Sequence, residues 1–340
     1  MKINILYQFN DKYAPYAGVS ITSLLINNQH FDEVDIYILE DCLDCVSKEN
    51  KAKFQRIADE YNRNIVFVNT EHIVDLMKKN KIPMYRGSYA TNMKMFYAEC
   101  ITFNHDRTLY IDADTIIVDK IDELVSISLE GKSIGMCLDS LGSIHRNDIG
   151  LNSCDYFNAG IILFDNHKWI EHKYQEKIVD HVKKIRTNYP APDQDLININ
   201  CVNDIFRLDC RYNLQPHHMK YEPQHYLNIY VTKNYYTKTE LENAKEQPAI
   251  IHTFRYLGEF PWHKNNLHPA NKYFDEYLKV SLWNEYVKEK ADVSLLLKTE
   301  KFLYQILPSK LFLHIFQYAH ERFLAHANKL SLEEKSSSNM

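Results

Sequence analysis

The stretch Thr108-Leu-Tyr-Ile-Asp112-Ala-Asp114-Thr-Ile-Ile-Val118 decides how the fold of this chain is interpreted. A short apolar run leads directly into two carboxylates separated by one residue. On an extended backbone, side chains at positions i and i+2 point to the same side, so Asp112 and Asp114 are expected to lie together. Paired carboxylates repel unless a cation lies between them, and hard divalent ions prefer such ligands. The stretch therefore predicts a metal site at the end of a strand or, alternatively, a simple acidic turn.

Short apolar runs alternate with helix-periodic stretches on both sides of this motif. Strands are predicted over residues 3–7, 34–39, 65–68, 108–111, 134–138, 156–164 and 249–251, and helices over 16–25, 48–61, 90–100, 169–184 and from 193 onward. The alternation is typical of an α/β fold with a mostly parallel sheet, in which ligands bind beyond the carboxyl ends of the strands. Residues 203–247 have weak periodicity and predict irregular structure or small β segments.

The pattern changes past Pro269, where helices are predicted over 271–288, 295–307 and 311–324. We expect a catalytic domain over 1–268, a C-terminal helical extension over 269–330 and a disordered tail over 331–340. Aromatic and basic residues recur in the last predicted helix and just beyond it, among them Phe312, Phe316, Phe323, Arg322 and Lys329. Such helices either pack on the core or lie on a membrane surface, and the sequence leaves both interpretations open.

Composition excludes several classes of protein. The 340 residues include 40 Lys+Arg and 45 Asp+Glu, and the resulting net charge of −5 disfavours a general nucleic-acid binder. Neither a membrane-spanning apolar stretch nor a signal-peptide pattern is found. The 7 cysteines are an odd number, which is typical of reduced thiols in a cytosolic protein. Cys42 and Cys45 have C-x-x-C spacing but lack a second pair for zinc. We therefore expect a soluble cytoplasmic enzyme.

Haloacid-dehalogenase-type phosphatases are one alternative, because they also place an aspartate pair after a strand, in the pattern D-x-D-x-T. Here Thr115 stands one position too early and Ile116 occupies the threonine position. The motif also lies past residue 110, whereas such a domain usually begins with it. The phosphatase interpretation is therefore disfavoured.

Five segments in a fixed order carry a resemblance to a known family. They are Asn10-Asp-Lys-Tyr13 with the following residues to Leu24, Thr108 to Asp114, Tyr156-Phe-Asn158-Ala-Gly160, Asp193-Gln194-Asp195 and Ile251-His252. Over roughly residues 1–265 the chain resembles glycosyltransferase family 8, the retaining nucleotide-sugar transferases that include lipooligosaccharide galactosyl- and glucosyltransferases and glycogenin. The resemblance implies a Rossmann-like, single-domain A-type glycosyltransferase fold, a UDP-hexose donor carrying glucose or galactose, and a glycan or glycoprotein acceptor.

The resemblance also implies a bound Mn²⁺ or Mg²⁺, held by Asp112, Asp114 and His252. An imidazole among carboxylates shifts the preference from Mg²⁺ toward Mn²⁺. The nucleotide would contact Asn10, Tyr13, Lys94, Asp112 and Ala113, with Tyr13 stacked on uracil. The family usually has Asp at the Asn10 position and Arg at the Lys94 position, so a weaker acceptor and a non-bidentate cation are expected there.

The same resemblance assigns the sugar to Asn158, Ala159, Asp193 and Gln194. Gln194 lies where the family places a side chain near the anomeric carbon, and Asp195 is the adjacent carboxylate, so both are candidate catalytic residues. Retention of configuration would come either from double displacement through one of these two residues or from same-face attack. The sequence does not decide between the two routes.

The loop after His252 departs from the family pattern H-x-[ST]-G-x-x-K-P-W. The sequence His252-Thr-Phe-Arg255-Tyr-Leu-Gly258-Glu-Phe260-Pro-Trp262 has two extra residues, and Phe260 occupies the Lys position. Arg255, Gly258 and Lys264 are weak candidates for phosphate binding in its place.

Two alternatives follow from these departures and from the helical extension. One is a nucleotide-sugar-binding protein without transfer activity. The other is a membrane-associated scaffold whose C-terminal helices make peripheral contact with the inner face of the membrane.

Overall fold

The computed structural model describes residues 1–82, 84–85, 87–102, 104–141, 146–151, 155–185, 189–230 and 234–338. The strands are β1 (Lys2–Phe9), β2 (Glu33–Glu40), β3 (Asn64–Val68), β4 (Arg107–Ile111), β5 (Thr115–Ile117), β6 (Ile134–Leu138), β7 (Phe157–Asp165), β8 (Ile205–Arg207) and β9 (Ile250–His252). In the N-terminal half the helices are α1 (Ala14–Asn27), α2 (Lys48–Tyr61), α3 (Glu71–Lys79), α4 (Ala90–Met93), α5 (Asp122–Ser126), α6 (Asn166–Glu171) and α7 (Tyr174–Lys184). The remaining helices are α8 (Pro192–Asn200), α9 (Pro216–Lys220), α10 (Pro223–Tyr230), α11 (Lys238–Glu246), α12 (Asn271–Val280), α13 (Leu295–Ile306) and α14 (Ser309–Ser338).

The main sheet has the strand order β3-β2-β1-β4-β7-β6-β8 among the described residues. Strands β1 to β4 pair in parallel, whereas β7 is antiparallel to both β4 and β6. Strands β1 and β2 are mostly buried along their length, as expected for strands covered on both faces. A second small sheet pairs β5 with β9 in antiparallel orientation. The predicted α/β fold is confirmed.

Side chains that alternate along β1 separate the core into two layers. Ile3, Ile5 and Tyr7 pack on the face covered by α1, and Leu6 packs on the other face. On the first face, Gly18 of α1 lets the indole of Trp283 approach so closely that a Cβ would lie 2.0 Å from it. The C-terminal extension therefore belongs to the core rather than to a separate layer.

Several expectations from the sequence need correction. Residues 203–247 contain the helices α9, α10 and α11, which were not predicted, in addition to irregular segments and the small strand β8, which were. Helix α12 ends at Val280 instead of 288, and the helix predicted over 169–184 is divided at Lys173, which adopts φ 54°. Residues 94–99 form a 3-10 helix that follows the single turn of α4.

Helix α14 extends past the predicted end of the helical extension at residue 330. It continues to Ser338, and residues 339–340 of the tail lie outside the described residues, so the disorder expected over 331–340 stays a prediction. Phe312 and Leu313 of this helix are buried in the same core layer as Leu6.

Two further expectations concern membranes and cysteines. In the described part of the chain, no helix combines the length and the apolar character needed to cross a bilayer. Cys42 and Cys45 are free thiols, and so are the other described cysteines. Cys154 lies outside the described residues.

Candidate active site

A cavity of about 640 Å³ opens at the carboxyl ends of β1 and β4. The end of β1, the turn after β4, the beginning of β7 and the N-terminus of α8 all reach it. Strand β7 runs antiparallel to β4, so its first residues lie at the same edge as the last residues of β4. Most of the residues singled out in the sequence line this cavity: Asn10, Tyr13, Lys94, Asp112, Ala113, Asp114, Asn158, Ala159, Asp193, Gln194, His252 and Arg255.

Backbone pairing brings the three predicted metal ligands together. The N–H of Asp112 donates to the carbonyl of Gly160 at 2.8 Å, and β5 pairs with β9 so that Thr115 lies opposite His252. Nε2 of His252 lies 3.5 Å from Oδ2 of Asp112 and 3.4 Å from Oδ1 of Asp114. One ligand atom from each residue lies within 4.8 Å of the others. This arrangement converges two carboxylates and an imidazole on one point.

The orientation of His252 fits a metal ligand. Its Nδ1 lies 3.2 Å from Oδ1 of Asn158 and 3.1 Å from Oδ1 of Asn213, which both accept, so we infer that Nδ1 carries the proton. Nε2 then faces the carboxylates and would present its lone pair to a bound cation, which is the usual arrangement around a ligating histidine. Asn213 was missed in the sequence, where nothing distinguishes it from other asparagines.

Electrostatics show that the site favours a positive charge. Burial alone would lower the pKa of His252, but the hydrogen bond and charge of Asp114 and the charge of Asp112 outweigh burial and raise it. Two carboxylates with one imidazole form a donor set that suits Mn²⁺ or Mg²⁺, and the imidazole favours Mn²⁺. The described residues therefore fit a divalent cation.

Gly160 makes room for the imidazole. A Cβ built on this residue would lie 2.1 Å from Cε1 and 2.5 Å from Nδ1 of His252. Real Cβ atoms do not approach other atoms this closely, so any other residue at position 160 would displace His252. The close approach of backbone to side chain, not a special backbone angle, requires glycine here.

Lys94 links the candidate metal ligands to the residues that are predicted to bind the sugar. Its side chain is buried, and Nζ lies 2.7 Å from Oδ2 of Asp193, 3.0 Å from the carbonyl of Ala159 and 3.6 Å from Oδ1 of Asp112. Burial acts to lower the pKa of Lys94, but Asp112 and Asp193 outweigh it and raise the pKa. Lys94 therefore holds the two carboxylates in place, and since it also lines the cavity, its contact with a diphosphate stays a prediction.

The amide of Gln194 is fixed at both ends. Its Oε1 accepts from the N–H of Ala159 at 3.0 Å, and its Nε2 donates to Oδ2 of Asp139 at 3.2 Å. Asn158 donates to the same oxygen of Asp139 at 2.9 Å. Asp139 lines the cavity but was missed in the sequence, although it directly follows β6 as Asp112 follows β4. That position was the signal that would have identified it.

Asp195 does not line the cavity. It has no exposed surface, and its carboxylate accepts from the hydroxyl of Tyr156 at 2.6 Å and from the N–H of Ala191 at 3.1 Å. This position disagrees with the prediction that Asp195 is a catalytic residue, because its two oxygens accept from Tyr156 and from the N-terminus of α8. Asp195 positions Gln194 and Asp193 through that helix.

Asn10 and Tyr13 lie at one end of the cavity. Asn10 caps the short 3-10 helix Asp11–Tyr13 by accepting from the N–H of Tyr13 at 3.3 Å, and its Nδ2 donates to Asp44 at 2.7 Å. The exposed Lys12 lines the same wall and was missed in the sequence, where a lone lysine gives no signal.

The predicted phosphate residues do not all reach the cavity. Arg255 lines it, with its guanidinium 5.4 Å from the centre of the Phe260 ring. Lys264 is exposed elsewhere, and Gly258 lies against Leu297. Neither of these two is among the residues lining the cavity. Among the described Lys and Arg residues that line the cavity, Arg255 and Lys12 are exposed to solvent, whereas Lys94 is buried.

Comparisons with known proteins agree with this geometry. Residues 4–266 match the family model described as Glycosyl transferase family 8. The lipopolysaccharide 1,2-glucosyltransferase of Escherichia coli K12 is 27% identical over 293 residues, which cover 83% of this chain and 79% of that protein. The lipopolysaccharide 1,3-galactosyltransferase of Salmonella typhimurium is 25% identical over 294 residues, covering 83% and 80% of the two chains.

Solved structures show the same fold. The galactosyltransferase LgtC, in complex with donor and acceptor sugar analogs, superposes with a TM-score of 0.65 at 20% identity, over 84% of this chain and 100% of that chain. The bifunctional glycosyltransferase WbbM, in its apo structure, gives a TM-score of 0.68 at 18% identity, over 84% of this chain and 50% of that one. The predicted A-type glycosyltransferase fold is confirmed.

Gly160→Ala is expected to weaken Mn²⁺ binding by about tenfold or more, because the added methyl group displaces His252. Calorimetric titration with Mn²⁺ measures the effect, with thermal unfolding to confirm that the variant is folded. Gly135→Ala is the matched control, since its methyl meets only the flexible ends of Leu129 and Leu208 in the core. Mn²⁺ affinity equal to wild type in the Gly160 variant would show that His252 does not hold the ion.

Proposed function

Because this chain belongs to glycosyl transferase family 8, we propose that it transfers glucose or galactose from a UDP-hexose to a hydroxyl of a glycan or glycoprotein, with retention of configuration. The observation that carries the proposal is the convergence of Asp112, Asp114 and His252 beside Gln194 in one cavity. Relatives named as lipopolysaccharide glucosyl- and galactosyltransferases support a hexose donor and a surface-glycan acceptor. A cytoplasmic location at the inner face of the membrane agrees with such an acceptor.

Asp112, Asp114 and His252 would hold Mn²⁺, or Mg²⁺ in its place. When bound, the ion neutralises the negative charge that develops on the departing diphosphate. Lys12 and Arg255 add positive charge in the same cavity, so Arg255 takes the role of the lysine that Phe260 replaces. The nucleotide would lie between Lys12 and Arg255, with its uracil ring beside Asn10 and Tyr13.

Asp193, Asn158 and Gln194 would bind the hexose. Lys94 holds one oxygen of Asp193, and Asp139 orients both amides, so these side chains are fixed before the donor arrives. Fixed polar groups need little reorganisation during reaction, which is the main source of electrostatic stabilisation in enzymes. Ala159 presents its backbone beside them.

The structure favours same-face attack over double displacement through Gln194 or Asp195. Asp195 is buried and fully engaged, and Oε1 of Gln194 already accepts from the N–H of Ala159. In same-face attack the C–O bond to the diphosphate breaks as the acceptor oxygen bonds to the same face of the anomeric carbon. The departing phosphate oxygen takes the proton of the acceptor hydroxyl.

A nucleotide-sugar-binding protein without transfer activity is the alternative that the departures at Asn10 and Phe260 leave open. UDP release separates the two functions. We expect UDP to be released from UDP-glucose or UDP-galactose with Mn²⁺ in the presence of lactose, N-acetyllactosamine or a glycosylated peptide. Donor binding with no release of UDP under any of these conditions would favour the binding protein.

Asp112→Asn and Asp114→Asn are each expected to lower transfer by about 100-fold or more, because a metal ligand is lost, while thermal stability is kept. The same loss is expected when wild-type protein is assayed in a chelator. Asp106→Asn is the matched control, since the Asp106 side chain is 91% exposed and lies outside the cavity lining. Full activity of wild type in the chelator would contradict the role of the ion.

Gln194→Ala is expected to lower kcat more than it raises the donor KM, because a group near the reacting carbon acts mainly in the transition state. Steady-state kinetics with varied UDP-hexose measures both constants. Gln55→Ala, on the exposed side of α2, is the control substitution. An effect confined to the donor KM would reassign Gln194 to donor binding.

The proposal includes peripheral contact of the enzyme with a membrane. The alternative is a membrane-associated scaffold in which the C-terminal helices are the functional part. Four apolar residues of α13 have more than half of their surface exposed: Leu295 at 80%, Leu296 at 74%, Phe302 at 58% and Ile306 at 57%. Apolar side chains in this arrangement are typical of helices that lie on lipid surfaces.

Full-length protein is expected to float with vesicles of phosphatidylethanolamine and phosphatidylglycerol, and Leu295→Ser with Leu296→Ser is expected to reduce the floating fraction at least about threefold. Leu43→Ser is the control, because Leu43 is 57% exposed but lies in the N-terminal half of the chain. Equal flotation of all three proteins would argue against membrane contact through α13. Retained UDP release in the double variant would separate membrane binding from catalysis.

A further inference from the structure

The last helix of the chain reaches the catalytic cavity. His320 and Leu324 of α14 line it together with Asp112, His252 and Gln194. The two residues are four positions apart, so they lie on the same face of the helix. Helix α14 begins at Ser309, beyond residue 266 where the family match ends. The family model therefore does not account for this wall of the cavity.

Buried aromatic contacts fix α14 at this place. Phe312 is 2% exposed, and its ring lies 5.9 Å from that of Phe316, which in turn lies 5.6 Å from His320. Phe316 stacks on His217 of α9 at 5.5 Å. Burial holds the pKa of His217 well below its usual value, so the ring stacks as a neutral group. Phe312, Phe316 and His320 contact one another in sequence along one continuous helix, from the core to the cavity.

The position of α14 points to the acceptor half of the cavity. The nucleotide residues Asn10 and Tyr13 follow β1, whereas α14 packs on α9 and α10, which follow β8 at the opposite edge of the sheet. Leu141, which comes just after β6, lines the cavity on this same half. The wall formed by α14 thus lies away from the nucleotide end.

We propose that His320 and Leu324 form one wall of the acceptor subsite and bind a sugar unit of the acceptor. An imidazole nitrogen exchanges hydrogen bonds with hydroxyl groups, and a leucine side chain packs against the apolar face of a pyranose ring. Specific sites combine a few polar groups with apolar surface in this way. The inference rests on the proposed transferase function and specifies which part of the chain selects the acceptor.

The test compares His320→Ala and Leu324→Ala in the full chain with His326→Ala and Leu330→Ala. The control residues lie on the same helix, are exposed and do not line the cavity. The acceptor is whichever of lactose, N-acetyllactosamine or the glycosylated peptide gives the fastest transfer. We expect the acceptor KM of the two cavity variants to rise by about tenfold, as for loss of one hydrogen bond or one apolar contact. The donor KM and the UDP affinity are expected to stay within about twofold of wild type.

Donor hydrolysis without acceptor provides the second readout. It is expected to be unchanged or higher in the cavity variants, because the donor contacts are intact and water gains access. A parallel fall in hydrolysis and transfer would place α14 at the donor and overturn the proposal. Should His320→Ala fail to fold, His320→Phe keeps the ring contact with Phe316 and removes the polar nitrogens, so the same comparison holds.

The failure of this inference differs from the failure of the proposed function. An acceptor KM within twofold of wild type in both cavity variants, with active wild type, would overturn the acceptor role of α14 alone. Absence of UDP release from wild type with every donor would overturn the transferase function, and the inference with it.

Discussion

The concentration of three aspartates in one cavity is the constraint on which the rest of this structure depends. Asp112, Asp114 and Asp193 are held close together, and like charges at this separation repel. Buried Lys94 lies beside Asp112 and Asp193 and compensates their charges directly. His252 lies close to both Asp112 and Asp114. A bound divalent cation would complete the balance, which is why the site favours positive charge.

Holding these groups at fixed positions determines much of the surrounding architecture. The pairing of the short strands β5 and β9 places His252 opposite Thr115, next to the aspartate turn. Gly160 leaves room for the imidazole ring. Asn158 and Asn213 orient the imidazole, and Asp139 orients Asn158 and Gln194. The polar groups form one connected network, so displacement of a single member is transmitted to the others.

The C-terminal extension serves this site as well as the core. Trp283 packs into the groove left by Gly18 on one face of the sheet, and α14 is anchored by Phe312 and Leu313 on the other. The extension thereby spans both layers and brings His320 to the cavity. The cavity residues that we assign to the donor lie within the family match, whereas His320 and Leu324 lie outside it.

The sequence by itself determined the α/β fold, most strand positions and the residues that converge on the cavity. It did so because strand periodicity and the ordered motifs are local patterns, and the carboxyl ends of strands define one edge. Only the tertiary structure placed Asp195 in the interior, turned Lys94 toward two carboxylates, and brought in Asp139, Asn213, Lys12 and His320. These outcomes depend on contacts between residues far apart in the chain, and local sequence patterns carry no information about which distant groups will become neighbours.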